Sequence, residues 1–233
     1  MIETLLKNLD TDLSSERRDR LPRTIASRTR RVYDVVAGVY PLSTYFFHSK
    51  AHRAALEMSG IRSGMRILEV ATGSGEMFRR LVEANREGMT LGLDLSPNMA
   101  AHAQSRVRRD FPKSTAHCHA VDARYLPFRD GSFDAVVCCY LLELLAREDI
   151  VQTLAEVHRV LRPRGTFTLV CIGQNAEFFN NLYRVAGSLA PAFWGRQVES
   201  RVGDWIRESG FRVRAERAVK QAGYPSRVLM TTK

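Results

Sequence analysis

The sequence predicts an α/β protein in which a helical N-terminal arm precedes a doubly wound, mostly parallel sheet of seven strands. Two observations support this fold class. Before residue 60 the apolar residues recur at helical spacing, whereas from residue 65 short apolar runs alternate with helical segments over about 100 residues. The first of these runs continues into a glycine-containing loop and a helix, as in folds that bind a ligand where strands end. We therefore divide the chain into an arm, residues 1–60, and a ligand-binding domain, residues 61–233.

Helical periodicity covers the arm in three segments. Apolar residues at spacings of three and four mark residues 2–13, a second pattern covers 31–40, and a third covers 42–58. Pro41 separates the last two, and Gly60 is a stop signal.

Five short apolar runs predict the parallel strands of the domain, because strands buried on both faces read as continuous apolar runs. They cover residues 65–71, 89–93, 116–121, 133–140 and 166–172. The helices between them are predicted at 76–86, 97–109 and 149–161.

Particular residue types mark where the helices and strands of the domain begin and end. Ser96 and Pro97 have the residue types of an N-cap and a first helical position. The residues Arg162-Pro163-Arg164-Gly165 predict a turn between the third helix and the fifth strand. After residue 200 we expect a helix over 201–209 and two strands, 211–219 and 225–232, paired antiparallel at one sheet edge.

Length and composition fit a globular domain with a substantial core. The chain has 233 residues, of which 45% are hydrophobic and 26% charged, which excludes wholesale disorder. The longest apolar stretch, residues 135–146, is interrupted by Glu143 and is too short to cross a bilayer as a helix. Charged residues at positions 3, 7, 10 and 12 stand where a signal peptide needs an apolar core. Four cysteines without a Cys-x-x-Cys pair are typical of free thiols in a reducing compartment, so we expect a cytoplasmic protein.

The net charge of +10 is the one unusual bulk property. Residues 16–31 contain seven arginines against one glutamate and one aspartate. This stretch is either a solvated face or a contact surface for anionic partners, such as the phospholipid head groups of a membrane or nucleic acid. A solvated face and an anionic contact surface both remain open on charge alone.

The loop after the first strand is the most informative part of the sequence. Residues 67–75 read Ile-Leu-Glu-Val-Ala-Thr-Gly-Ser-Gly, so a strand runs into small residues and then into a helix. Gly73 and Gly75 would let a ligand approach the main chain, beside a helix N-terminus. A dinucleotide fold needs a further glycine where this chain has Phe78. Glu69, directly before the loop, suits a cationic ligand such as the amino group or sulfonium of S-adenosylmethionine.

Two more acidic residues follow consecutive predicted strands. Asp94 comes after the second strand, 19 residues beyond Gly75, where a carboxylate accepts hydrogen bonds from ribose hydroxyls. Asp122 ends the third strand and is followed by Ala123, a position that would reach an adenine amino group. Carboxylates that only cap the following helices or turns are the alternative.

With these motifs the sequence resembles the class I S-adenosylmethionine-dependent methyltransferases. The glycine loop is followed in order by Gly92-Leu93-Asp94-Leu95-Ser96-Pro97-Asn98-Met99, by Asp122-Ala123-Arg124-Tyr125-Leu126-Pro127-Phe128, by Asp130-Gly131-Ser132-Phe133-Asp134 and by Arg159-Val160-Leu161-Arg162-Pro163. The ubiquinone/menaquinone-biosynthesis branch is the most similar, because it has Ala at the position of Ala71 and an N-terminal segment like Tyr33-Asp34-Val35-Val36-Ala37-Gly38-Val39-Tyr40.

The resemblance implies a Rossmann-like fold, S-adenosylmethionine as cofactor and a set of residues that bind it. Glu69, Gly73 and Gly75 would shape the methionine end, Asp94 the ribose end and Asp122-Ala123 the adenine end. The expected cofactor-binding residues are Tyr33, Tyr40, Glu69, Ala71, Gly73, Gly75, Asp94, Leu95, Met99, Asp122, Ala123 and Cys139.

The resemblance does not extend to the acceptor. The chain has Pro163-Arg164-Gly165 where the family usually has Pro-Gly-Gly, and residues 139–143 and 174–200 do not match quinone enzymes closely. It also lacks the Asn/Asp-Pro-Pro-aromatic motif of nucleic-acid amino-methyltransferases after the fourth strand, which argues against a nucleic-acid substrate.

Methyl transfer from a sulfonium is an in-line displacement, so the protein mainly supplies alignment, exclusion of water and electrostatic fit. A nucleophile with an acidic proton needs at most a modest base. Tyr33, Tyr140 and His48 are the catalytic candidates, with Tyr140 expected to face the methyl group at the end of the fourth strand. Core packing of an arm helix is the alternative for Tyr33 and Tyr40, and a surface or packing position is the alternative for His48.

His117-Cys118-His119 has the composition of a metal site, but we expect no metal. On a strand the two imidazoles share one face while Cys118 faces the other way, so three ligands do not converge.

The sequence predicts methyl transfer to a small, partly apolar acceptor of quinol, phenol or thiol type. Aromatic residues after the fifth strand would suit such a molecule, or would cover the sheet; they are Phe178, Phe179, Tyr183, Phe193 and Trp194. Two alternatives are a phospholipid head-group N-methyltransferase at a membrane surface and a cofactor-binding protein without methyl-transfer activity. We also expect the arm to close over the cofactor with Tyr33 and Tyr40 facing it.

Overall fold

A computed structural model describes residues 40–173, 199–221 and 225–233. In chain order the elements are α1 (Tyr40–Ser59), β1 (Arg66–Val70), α2 (Glu76–Ala84), β2 (Met89–Asp94), α3 (Pro97–Asp110), β3 (Thr115–Ala120), β4 (Phe133–Cys139), a 3-10 helix (Leu142–Leu144), α4 (Arg147–Val160), β5 (Leu161–Ile172), α5 (Glu199–Glu208), β6 (Arg212–Val219) and β7 (Ser226–Thr232).

The seven strands form one sheet in the order β3-β2-β1-β4-β5-β7-β6. The pairs from β3 through β5 are parallel, whereas β7 is antiparallel to both β5 and β6. The sheet is therefore mixed, and the predicted antiparallel pair lies at one edge with β6 outermost. The predicted doubly wound fold class is confirmed.

Helices cover both faces of the sheet. Successive residues of a strand point to opposite faces, so each central strand contributes apolar side chains to both helical layers. In β1, Ile67 belongs to a cluster with Ala51, Ala54 and Met77 from α1 and α2. Leu68 belongs to a cluster on the other side, with side chains of α4 and α5. Both strand residues are fully buried, as expected of a central parallel strand.

Local sequence explains the start of α3. Ser96 is the N-cap, its hydroxyl oxygen accepts a hydrogen bond from the Met99 amide at 3.2 Å, and Pro97 is the first helical residue. Helix α1 packs against β5, β7 and α2. None of the helices among residues 40–173 and 199–208 is long and apolar enough to pass through a membrane.

The predicted turn at Arg162-Pro163-Arg164-Gly165 is wrong. These residues form the first part of β5, which begins at Leu161 directly after α4. Leu161 pairs with Phe133, and the register then shifts before Thr166 pairs with Ala135. Arg164 has a φ of 66°, which accommodates the irregularity.

Candidate functional site

A cavity opens at the carboxyl ends of β1, β2, β3 and β4. It lies where the sheet order reverses, because the connections from β1 run outward through β2 and β3 and the chain then returns to β4 on the other side of β1. Nine of the residues predicted from sequence line it: Glu69, Ala71, Gly73, Asp94, Leu95, Asp122, Ala123, Cys139 and Tyr140.

The glycine loop is fixed to the neighbouring strand. The Thr72 amide and hydroxyl donate hydrogen bonds to the Leu93 carbonyl at 2.9 and 3.0 Å, and the Gly75 amide donates to the Thr72 carbonyl at 3.0 Å. Ala71 has a φ of 62°, a left-handed conformation that glycine adopts more easily. The hydrogen bonds of Thr72 and Gly75 therefore hold the loop that follows Ala71 against β2.

The two loop glycines, Gly73 and Gly75, differ in the space around them. At Gly73, which lines the cavity, an added Cβ would meet no atom within 4 Å. At Gly75 it would lie 2.9 Å from the Ala103 Cβ, so Gly75 allows α2 and α3 to pack closely. Gly75 does not line the cavity, and neither does Met99, whose side chain is buried. Cofactor contact by these two residues stays a prediction.

Glu69 places a buried carboxylate at the cavity wall. The residue is 1% exposed, and its Oε2 atom has no hydrogen-bond partner among the described residues. Burial, and next the nearby charge of Asp94, raise the pKa of this carboxyl well above its ordinary value. A cationic group in the cavity would satisfy the Oε2 atom and favour the ionised form. The Glu69 carboxylate therefore fits the ammonium or sulfonium group of S-adenosylmethionine.

Asp94 is oriented by two backbone amides. Its Oδ2 atom accepts from Gly73 at 2.7 Å, and its Oδ1 atom accepts from Ser96 at 2.9 Å. The carboxylate thus joins the glycine loop to the start of α3, and it faces the cavity between them. Such a fixed acceptor fits the predicted contact with ribose hydroxyls.

Asp122 is held by an arginine that sequence reasoning missed. The Arg124 Nη2 atom lies 2.6 Å from the Asp122 Oδ2 atom, and its Nε atom donates to both carboxylate oxygens at 3.0 and 3.1 Å. The Arg124 Nη1 atom also donates to the Asp149 Oδ1 atom at 2.9 Å, which ties the loop after β3 to the first turn of α4. The carboxylate predicted to meet adenine is therefore fixed by a bridging guanidinium.

The wall formed by β4 and α1 carries Tyr140, Cys139 and His52. The Tyr140 hydroxyl lies 2.7 Å from the Ser226 Oγ atom, and it accepts a hydrogen bond from the Gln221 Nε2 atom at 3.2 Å. Burial, the larger influence, raises the pKa of Tyr140 above its ordinary value, although these hydrogen bonds oppose the shift. Burial likewise raises the pKa of the Cys139 thiol. Tyr140 and Cys139 therefore face the cavity as neutral groups.

Several predicted contacts cannot be placed. Tyr33 and the aromatic residues of 174–198 lie outside the described residues, and only the helical backbone of Tyr40 and His48 is described. The arm-closure hypothesis for Tyr33 and Tyr40 thus stays a prediction.

His52 lines the cavity one helical turn after His48. The signal for it was its place among Ala51, Ala54 and Ala55, small residues at positions where a helix packs closely on a sheet. Other lining residues were also missed: Thr72, Ser74, Glu76, Met77, Leu93, Ser96, Val121, Arg124, Leu141, Leu144, Leu145 and Thr153.

Comparisons with known proteins find a methyltransferase domain in this chain. Residues 67–165 match the family model described as a methyltransferase domain. The Ubiquinone/menaquinone biosynthesis C-methyltransferase UbiE of Cellvibrio japonicus is 30% identical over 182 residues, covering 74% of this chain and 71% of that protein. The 2-phytyl-1,4-naphtoquinone methyltransferase of Nostoc sp. is 29% identical over 146 residues, covering 60% of this chain and 63% of that protein. The chain spans about three fifths of the length of the first curated relatives it matches.

Solved structures share the fold at low identity. The magnesium protoporphyrin IX methyltransferase of Synechocystis, with bound SAH, has a TM-score of 0.71 at 17% identity and covers 90% of this chain and 100% of its own. The [4+2]-cyclase SpnF has a TM-score of 0.74 at 16% identity and covers 91% of this chain and 98% of its own. Because one neighbour is described as a cyclase, the fold alone does not identify the reaction. The sequence relatives and the matched domain do identify the family: this chain belongs to the class I S-adenosylmethionine-dependent methyltransferases, in the UbiE-like branch.

Proposed function

We propose that this protein transfers a methyl group from S-adenosylmethionine to a small, partly apolar acceptor with a hydroxylated aromatic ring, of the quinol type. One observation carries the proposal: a single cavity is lined by the buried carboxylate of Glu69 and by apolar side chains that follow β4. These side chains are Leu141, Leu144 and Leu145. Relatives that are named C-methyltransferases of ubiquinone/menaquinone biosynthesis support this choice of acceptor.

Different lining residues would bind different parts of the cofactor. S-adenosylmethionine, when bound, supplies an electrophilic methyl group on a positively charged sulfur. Glu69 would hold the cationic end by charge, Gly73 would expose its backbone, and Asp94 would accept hydrogen bonds from the ribose. Asp122, fixed by Arg124, would accept from the adenine.

The apolar side would exclude water and align the acceptor ring. Leu141, Leu144 and Leu145 come from the segment that links β4 to α4, so they can shape one wall without disturbing the sheet. Removal of water matters because it strengthens charge interactions in the site and prevents competing hydrolysis.

Cofactor binding is tested by calorimetry with S-adenosylhomocysteine. The Asp94→Asn variant should weaken binding about 10- to 100-fold, since hydrogen bonds to a charged group contribute about 1.5–3 kcal/mol. Asp204→Asn is the control, because Asp204 is an exposed aspartate on α5. Equal affinity of wild type and Asp94→Asn would remove Asp94 from the cofactor site.

Acceptor class is tested by transfer of a labelled methyl group to 1,4-naphthohydroquinone, a phenol, a thiol, phosphatidylethanolamine vesicles and RNA, each at low and high salt. The proposal expects turnover on the hydroquinone with little salt dependence. Turnover confined to RNA or to vesicles, with steep loss at high salt, would overturn the quinol-type acceptor. Cofactor binding with no turnover on any acceptor would favour a cofactor-binding protein without methyl transfer.

A further inference from the structure

Thr153 is the residue of α4 that lines the cavity, and it carries a buried hydroxyl. The residue is 1% exposed, and its Oγ1 atom has no hydrogen-bond partner among the described residues. A threonine within a helix can bond the carbonyl one turn before it, but Thr153 makes no such bond. A buried hydroxyl without a partner destabilises a protein, because it has lost its hydrogen bonds with water. A polar group bound in the cavity would supply the missing bond.

The contacts of α4 place Thr153 beside the segment that follows β3. Asp149, one helical turn before Thr153, accepts a hydrogen bond from the Arg124 Nη1 atom at 2.9 Å. Gln152, the residue next to Thr153, donates from its Nε2 atom to the Arg124 carbonyl at 3.2 Å. Arg124 in turn holds the Asp122 carboxylate. Thr153 therefore lies on the side of the cavity where the adenine of the cofactor is expected.

The adenine base offers acceptors for a hydroxyl donor. An ionised carboxylate only accepts hydrogen bonds, so Asp122 fits the amino group of adenine and leaves the ring nitrogens unserved. Two of these nitrogens, N1 and N7, flank the amino group and carry lone pairs, whereas N3 lies on the ribose side of the base. Val121 and Leu145, which line the cavity with Thr153, have apolar side chains. The threonine hydroxyl has the O–H donor that such a nitrogen needs.

We propose that the Thr153 hydroxyl donates a hydrogen bond to N1 or N7 of the cofactor's adenine, an inference that rests on the cofactor arrangement in the proposed function. The hydroxyl then gains its bond only when the cofactor is bound. Thr153 therefore has opposite effects in the two states, because it destabilises the free protein and strengthens the complex.

The first test is Thr153→Val, which removes the hydroxyl and keeps the shape of the side chain. Without cofactor the variant should unfold at the same or a higher urea concentration than wild type. In calorimetry it should bind S-adenosylhomocysteine about three- to tenfold more weakly, the effect of one lost hydrogen bond.

Thr168→Val is the matched control. Thr168 is also fully buried, and its Oγ1 atom also has no partner among the described residues, but it belongs to β5 and does not line the cavity. This variant should likewise unfold at the same or a higher urea concentration than wild type. Its affinity for S-adenosylhomocysteine should equal that of wild type within about twofold.

Deaza analogues of S-adenosylhomocysteine, in which a C–H group replaces one ring nitrogen, identify the atom that Thr153 contacts. For either the 1-deaza or the 7-deaza analogue, the loss of affinity should be about three- to tenfold smaller in Thr153→Val than in wild type, because the variant has no bond there to lose. The 3-deaza change should weaken binding equally in both proteins.

Three results would overturn this contact. They are wild-type affinity in Thr153→Val, equal losses of the two proteins with both the 1-deaza and the 7-deaza analogue, and a lower urea midpoint of cofactor-free Thr153→Val, which would show that the hydroxyl already has a partner. If Asp94→Asn still weakens S-adenosylhomocysteine binding in these cases, the proposed function stands. If wild type binds no S-adenosylhomocysteine, the proposed function fails and this inference fails with it.

Discussion

The two loop glycines offer a matched pair of substitutions. Gly73 and Gly75 both have left-handed φ values, 53° and 77°. Only Gly75 is crowded: a Cβ there would approach the Ala103 Cβ and Cα atoms to 2.9 and 3.0 Å. Ala103 is fully buried on α3, so it cannot turn away from the new methyl group.

The structure gives different magnitudes for the two alanine variants. Gly73→Ala should cost about 1–2 kcal/mol of unfolding free energy, the penalty for an L-residue in the left-handed region. Gly75→Ala bears the same penalty plus about 1–3 kcal/mol of overpacking against α3. A second substitution, Ala103→Gly, removes the Cβ atom, which is the nearer of the two atoms that the methyl group meets, so the double variant should recover part of the overpacking cost.

Urea unfolding of wild type, the three single variants and the double variant, all without cofactor, measures these differences. The cycle formed by Gly75→Ala and Ala103→Gly should give a favourable coupling of about 1–2 kcal/mol. Additive effects within about 0.5 kcal/mol, or equal losses in Gly73→Ala and Gly75→Ala, would refute the close approach of α2 and α3.

Two further predictions follow from the charged groups. Arg124→Gln and Asp149→Asn should each weaken S-adenosylhomocysteine binding about three- to tenfold in calorimetry. Because Asp149 acts only through the Arg124 guanidinium, the double variant should bind no more weakly than Arg124→Gln. Additive losses in the double variant would contradict this coupling. Burial raises the pKa of Glu143 from its ordinary 4.5 to about 7, so the wild type should lose stability, on the order of 2–3 kcal/mol, as the pH rises through this window. Glu143→Gln should lack that loss in urea unfolding at pH 5 and 8, while an unchanged pH dependence would disprove the assignment.

The sheet could be predicted because its strands are buried on both faces. The apolar run Phe133–Cys139, which only Asp134 interrupts, is typical of a strand buried on both faces, and its observed end is one residue before the predicted one. The start of β5 could not be predicted, since Arg162-Pro163-Arg164-Gly165 has the composition of a turn. Pairing of Leu161 with Phe133 overrides that local preference.

The site could be predicted where topology alone places the residues. Glu69, Asp94 and Asp122 stand at or near the ends of neighbouring parallel strands, so they had to meet at one edge. Arg124 was missed because its contact with Asp149, 25 residues away, depends on how α4 packs. His52 was missed because its sequence signal is indirect: the small residues beside it, Ala51, Ala54 and Ala55, mark the side of α1 that packs on the sheet.

The central place of β1 has a consequence for fragments of this protein. β1 is paired on both sides, with β2 and with β4, and its first amide, at Arg66, donates to the Asp134 carboxylate at 2.6 Å. A fragment that ended before residue 133 would expose the apolar β1 as an open edge, with unpaired backbone groups that recruit other chains. We expect the segment with the glycine loop to aggregate when it is expressed alone, although its local sequence is intact. Strand β4, from the second half of the chain, would then be what keeps the first half from aggregating.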